Sequence, residues 1–130
     1  MFKPKAAFSG CSVDDLGKAR AFYADVLGLK VDDEGDMGLN LHLPGGQSQF
    51  IYPKDDHQPA TYTILNFVVD DIDEAMDALE GKGIRFEQYG TDALHQDDKG
   101  VARGLSAGMG PDIAWFTDPA GNVLSVMQTE

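Results

Sequence analysis

Val13-Asp14-Asp15-Leu16-Gly17-Lys18-Ala19 returns 56 residues later as Val69-Asp70-Asp71-Ile72-Asp73-Glu74-Ala75. Gly28-Leu29-Lys30-Val31 returns as Gly83-Ile84-Arg85-Phe86 at an offset of 55, and Pro44-Gly45-Gly46-Gln47 as Pro119-Ala120-Gly121-Asn122 at 75. The growth of the offset means that the second copy carries an insertion of about 20 residues. Two copies are too few for a solenoid, which needs at least about three stacked repeats. The chain is a duplicated module.

Each copy follows one local logic. Residues 6–13 and 61–69 are short, partly alternating runs bounded by Asp, which predicts strands. Asp14/Asp15 and Asp70/Asp71 stand where an N-cap carboxylate accepts orphan N–H groups at a helix start. Leu16, Ala19, Phe22, Tyr23, Val26 and Leu27 recur at helical spacing and stop at Gly28; Ile72, Ala75, Met76 and Leu79 do so before Gly81. This predicts helices over 15–27 and 71–80. Three strand-like runs follow each helix, at 30–33, 38–43 and 47–53 and again at 84–89, 112–117 and 123–128. The pattern is βαβββ twice, an α+β fold, with modules over 1–56 and 57–130 forming one structural domain.

The 130 residues suit a domain that buries its own core. Ten Lys/Arg against 22 Asp/Glu leave a net charge of −12, a field that repels phosphate backbones and argues against nucleic-acid binding. The second module is the more acidic, with four basic and thirteen acidic residues against six and nine in the first. Apolar runs fall well short of the roughly 20 residues that span a bilayer, so no membrane partner is expected. No signal-like stretch follows Met1, and Cys11 is the single cysteine, so the expected address is cytoplasmic and no internal disulfide forms.

The duplicated Val-x-Asp-Leu/Ile at each helix start, with Asp118-Pro119-Ala120-Gly121-Asn122 before the last strand, resembles the vicinal oxygen chelate superfamily of glyoxalases, extradiol dioxygenases, fosfomycin-resistance enzymes and bleomycin-resistance proteins. The resemblance runs from about Ala7 to Gln128. It implies two modules whose sheets curl around a cleft. It also implies, in the metal-using members, a divalent ion held by His and Glu on the first and last strand of each module. Carried across position by position, those ligand places are Phe8, Ile64, Ser125 and Phe50, with Gln49 or Ile51 in place of Phe50 if the copies slip by one. None offers an imidazole or a carboxylate, the donors that such ions take. No metal or other cofactor is therefore expected.

Strand alternation sends Phe8, Gly10 and Ser12 to one face and Ser9, Cys11 and Val13 to the helix side. Likewise Ile64, Asn66 and Val68 share a face, as do Val123, Ser125 and Met127. The expected ligand-binding residues are Phe8, Phe50, Tyr52, Ile64, Asn66, Trp115, Ser125 and Met127, an apolar surface with few polar points. No catalytic residue is identified.

Other constellations carry less. Gly104-Leu105-Ser106-Ala107-Gly108 spells a nucleophile elbow, but Met109-Gly110-Pro111 cannot continue a helix after it; a flexible loop is expected there. His42, His57 and His95 share no ligand spacing, and His42 is the histidine placed to act in acid–base or hydrogen-bond chemistry, on the face of Asn40. Residues 90–111, which include Asp92, His95, Asp97, Asp98, Lys99 and Arg103, form a long connection that suits either a lid or a solvated loop. Trp115 reads as core or as a stacking platform for a ligand.

Three functions compete: binding or sequestration of a small molecule in a metal-free cleft, with a cationic guest favoured by the net charge; a lyase or dioxygenase-type enzyme on a small oxygenated metabolite with a non-standard or absent metal site; and an interaction subunit. A homodimer is expected, because half-sheet edges and apolar faces seek a partner.

Overall fold

A computed structural model describes residues 1–91 and 94–130. Asp92 lies outside the described residues. The chain divides into two compact units, Met1–Pro59 and Ala60–Glu130.

The first unit runs β1 (Ser9–Val13), α1 (Leu16–Arg20), a π-helical stretch (Ala21–Val26), β2 (Lys30–Asp33), a 3₁₀ turn (Gly35–Met37), β3 (Leu39–His42) and β4 (Ser48–Pro53). Its sheet has the order β1-β4-β3-β2, with β1 parallel to β4 and the other pairs antiparallel. Asp15 caps α1 through its side chain, which accepts from the Lys18 N–H at 3.0 Å. The predicted helix over 15–27 is present, but its winding widens after Arg20, and the Leu27 N–H reaches back to Phe22 O at 2.9 Å. Gly28, with φ of 71°, ends it as the spacing predicts. Ala19, Phe22 and Tyr23 are buried with Val13, Leu39, Leu41 and Ile51.

The second unit runs β5 (Thr63–Val68), α2 (Ile72–Glu80), β6 (Ala102–Arg103), α3 (Gly104–Ala107), β7 (Asp112–Thr117) and β8 (Val123–Gln128). Its order, β5-β8-β7-β6, repeats the first sheet, and β5 is parallel to β8. Asp71 caps α2 by accepting from the Glu74 N–H, and the Gln128 carboxamide accepts from the Ile72 N–H. α2 packs on β8, and its Ile72 and Met76 are buried with Val101, Ala114, Phe116, Leu124 and Val126. Asp118 and Asn122, both buried, close the last turn on each other: Asp118 accepts from the Ala120 N–H, the Asn122 N–H and Asn122 Nδ2. That motif is turn chemistry.

One expected strand is absent. Residues 84–89 form no ladder, and the fourth place in the second sheet belongs to Ala102–Arg103. The segment still touches the edge of β7, where the Glu87 N–H donates to Trp115 O at 2.8 Å. The Gln96 side chain then stands in for a neighbouring strand. Its Oε1 accepts from the Tyr89 N–H, and its Nε2 donates to Glu87 O and Gly100 O. The inserted residues thus satisfy backbone groups that a ladder would otherwise satisfy.

The serine of the elbow-like sequence is also placed differently from a simple loop. Ser106 lies inside the one-turn α3, which Gly108 ends, and its hydroxyl meets Arg103 O at 3.4 Å. A nucleophile elbow needs its serine on a sharp strand-to-helix turn, so none is formed.

Candidate functional site

The helix-free face of the first sheet is set by its register. Gly10, Phe50 and Asn40 lie across from one another on β1, β4 and β3; Ser12 lies beside Tyr52, and Ser48 beside His42. Their neighbours Gln49, Ile51, Leu39 and Leu41 are buried on the opposite side. Phe8, just before β1, sets its ring edge-on to Phe50 at 6.5 Å, and Phe50 stacks on Tyr52 at 6.2 Å. Phe8 is 71% exposed and Tyr52 39%. A cavity of about 220 Å³ opens here, lined by Phe8, Glu34, Met37, Asn40, Ser48 and Phe50.

Two histidines border the same face. His42 Nε2 lies 2.6 Å from Asp32 Oδ2, and that hydrogen bond holds the Asp32 carboxyl below the usual carboxylate range. His57 Nδ1 shares a 2.6 Å hydrogen bond with the Ser12 hydroxyl. Sequence reasoning singled out His42 but missed Glu34, Met37 and Ser48. Asn40 and Ser48 were recoverable from alternation with Leu41 and Gln49; Glu34 and Met37 sit in a turn, where no periodicity reports direction.

The second sheet has its own helix-free face. Asn66, Ser125 and Trp115 lie across from one another on β5, β8 and β7, and Val68, Met127 and Ile113 form the next row. Ser125 is 0% exposed, and its hydroxyl donates to Asn66 Oδ1. Trp115 is half-buried; its indole Nε1 donates to Thr63 Oγ1 at 3.1 Å and its ring meets Tyr89 edge-on at 5.7 Å. Burial, with the Glu87 charge behind it, raises the Tyr89 phenol above its ordinary value. Ile64 breaks the pattern. The register slips between Thr63 and Leu65, so Ile64 is the extra residue of a bulge and faces no ladder partner. Counting by twos from Asn66 does not carry through it.

The two ladders match. Gly10–Phe50–Asn40 in one unit and Asn66–Ser125–Trp115 in the other are corresponding rows. Phe50 is therefore the counterpart of Ser125, rather than Gln49 or Ile51.

A scan of family descriptions matches residues 10–126 to the glyoxalase/bleomycin resistance protein/dioxygenase superfamily. The chain belongs to that superfamily. Solved members share the fold at low identity. A putative glyoxalase family protein from Bacillus anthracis is 19% identical with a TM-score of 0.67, each chain covered in full. The fosfomycin resistance protein FosX from Listeria monocytogenes is 14% identical with a TM-score of 0.70, over 99% of this chain and 94% of that one. TnmS3, an antibiotic binding protein from Streptomyces sp. CB03234, is 20% identical with a TM-score of 0.66, over 99% and 100%. No curated protein matches the chain.

A divalent ion of the kind used by metal-dependent members of the glyoxalase superfamily does not fit the residues at the expected places. Phe8, Phe50 and Ile64 carry no donor atom, and the Ser125 hydroxyl is buried and committed to Asn66. Among the described residues, no three His, Cys, Asp or Glu side chains converge on a common point. No described helix is long and apolar enough to cross a membrane.

Proposed function

We propose that this superfamily member binds a small organic molecule on the helix-free faces of its sheets without a transition metal. Each face is taken by itself: on the first sheet the contact residues are Phe8, Phe50 and Tyr52, and on the second they are Asn66, Trp115 and Met127, with the fully buried Ser125 holding Asn66 from behind and Ile64 at the bulge beside them. The observation that carries this reading is the aromatic row of the first sheet. Large apolar side chains are left open to water there, beside a cavity with a carboxylate in its lining. Burying apolar area against them is worth about 25 cal/mol per Å². The guest is cationic: Glu34 supplies a counter-charge, the ring faces of Phe8 and Phe50 attract cations, and the chain's −12 charge acts in the same direction. TnmS3, an antibiotic binding protein that shares the fold, supports the small-molecule part of this reading.

Thermal denaturation tests this with benzyltrimethylammonium and its neutral carbon isostere neopentylbenzene. The cation is expected to raise the melting temperature more than the isostere, and Phe50→Ala to remove the difference. Equal shifts from both probes would remove the cationic preference, and no shift from either would remove the binding reading. Elemental analysis finding about one Zn, Ni, Fe or Mn per chain, with stability lost to a chelator, would overturn the metal-free reading.

His42 favours a second reading, a proton-transfer enzyme on a small oxygenated metabolite. A carboxylate-oriented imidazole beside a cavity has the form of a general base. Turnover of such a substrate that is lost in His42→Gln would establish it.

The protein is proposed to be a homodimer. Exposed Tyr62, Val68 and Met109, which lie outside the cavity lining, are apolar surface of the kind that partners cover. Light scattering at micromolar concentration is expected to give about 28 kDa, twice the chain mass of 14.0 kDa; a monomer would refute this.

A further inference from the structure

Where metal-using relatives are expected to carry a ligand, this chain carries Ser125, and Ser125 is not idle. Its hydroxyl is completely buried, and Asn66 Oδ1 is its acceptor. No other described residue accepts from it. Turning the Asn66 carboxamide over would bring Nδ2 against the Ser125 oxygen and leave the buried hydroxyl hydrogen without an acceptor. A buried donor left without a partner has lost its water and gained nothing in exchange, which disfavours that orientation. Ser125 therefore fixes which end of the carboxamide faces inward.

The outward end is then a donor. Asn66 is exposed, and no described residue accepts from its Nδ2. The neighbouring Trp115 spends its indole N–H on Thr63. We infer that Asn66, held by Ser125, is a specificity-determining residue that selects guests presenting a carbonyl oxygen beside an apolar body. An N–H donor takes the place in recognition where a Lewis acid would otherwise attract oxygen. The inference rests on the reading that the second sheet's helix-free face meets the guest.

The test uses acetophenone and α-methylstyrene, in which a methylene group replaces the carbonyl oxygen at nearly equal shape. Trp115 is the single tryptophan, so its indole N–H gives one NMR cross-peak that reports occupancy of this face without assignment work. In the wild type, acetophenone is expected to bind about 2–10-fold more tightly than α-methylstyrene, the range one neutral hydrogen bond supplies, and to shift the Asn66 side-chain amide peaks. In Asn66→Leu the ratio should fall to about 1 while both probes still move the Trp115 peak. In Ser125→Ala, where the carboxamide is free to turn, it should fall to an intermediate value. A ratio near 1 in the wild type, or one that survives Asn66→Leu, overturns the inference while leaving binding at this face intact. If neither probe moves the Trp115 peak, the binding face itself is refuted and the inference falls with it.

Discussion

Gly38→Ala is expected to cost about 3–5 kcal/mol, combining backbone strain with overpacking. Gly38 has φ of 144°, and a Cβ built there would lie 2.1 Å from Ile51 O and 3.0 Å from the Phe50 ring. The nearer contact is backbone of the central strand β4, so it cannot swing aside as a side-chain tip would. Against a usual total of about 5–15 kcal/mol, the loss is a large fraction. It should lower the melting temperature by roughly 10–20 °C. Gly35 is the control. It also has a positive φ, of 67°, but nothing lies within 4 Å of its Cβ position, so Gly35→Ala should cost only about 1–2 kcal/mol. Equal losses in the two variants would refute the steric account.

Arg103→Met removes a fork that ties the inserted segment to α2. The guanidinium bonds Asp73 through both Nη atoms, at 3.1 and 2.8 Å, and Asp97 through Nε at 2.9 Å, and lies 3.5 Å from Asp112. Lys99 adds a second cation on Asp73 at 2.9 Å. Exposed pairs contribute about 0–1 kcal/mol, and breaking a buried pair costs about 3–5. Arg103 is 33% exposed and Asp73 47%, so a loss of about 2 kcal/mol is expected, roughly 6–12 °C. Arg103→Lys should recover part of it, because charge remains but the fork does not.

The pH dependence of that loss follows from the carboxylates. Hydrogen bonds from Arg103 and Lys99 hold the Asp73 carboxyl well below the usual range. At Asp97 burial opposes ionisation, yet the Val101 N–H, Arg103 and the Lys99 N–H together hold it low. Groups with depressed folded-state values stabilise above their unfolded value of about 3.9 and lose that contribution as the pH falls through the folded one. The gap between wild type and Arg103→Met is therefore expected to be full at pH 7 and to narrow below about pH 4. A gap unchanged at pH 3 would refute the ionic account.

The duplication made most of this fold legible. The Val-Asp-Asp starts mark two capped helices, and the glycines that follow mark where helix ends and sheet begins. What misled is equally physical. Residues 84–89 have strand-like composition, but a strand is made by its partners, and the insertion placed Ala102–Arg103 and the Gln96 carboxamide at that edge instead. The bulge at Ile64 is invisible to alternation, because Ile64 and Leu65 are both apolar and the sequence does not mark where the count by twos is interrupted. Phe50 and Tyr52 were legible from period two. The pairing of Ser125 with Asn66 was not, since residues 59 apart in sequence give no local signal of their contact.

The Gln96 carboxamide has a consequence for how the chain behaves in company. An unsatisfied run of strand backbone is a template on which other molecules can polymerise. A single glutamine side chain, bonded to Glu87, Tyr89 and Gly100, closes that template at the cost of no extra strand. With those backbone groups already paired, this edge offers a neighbouring chain fewer donors and acceptors on which to add a strand.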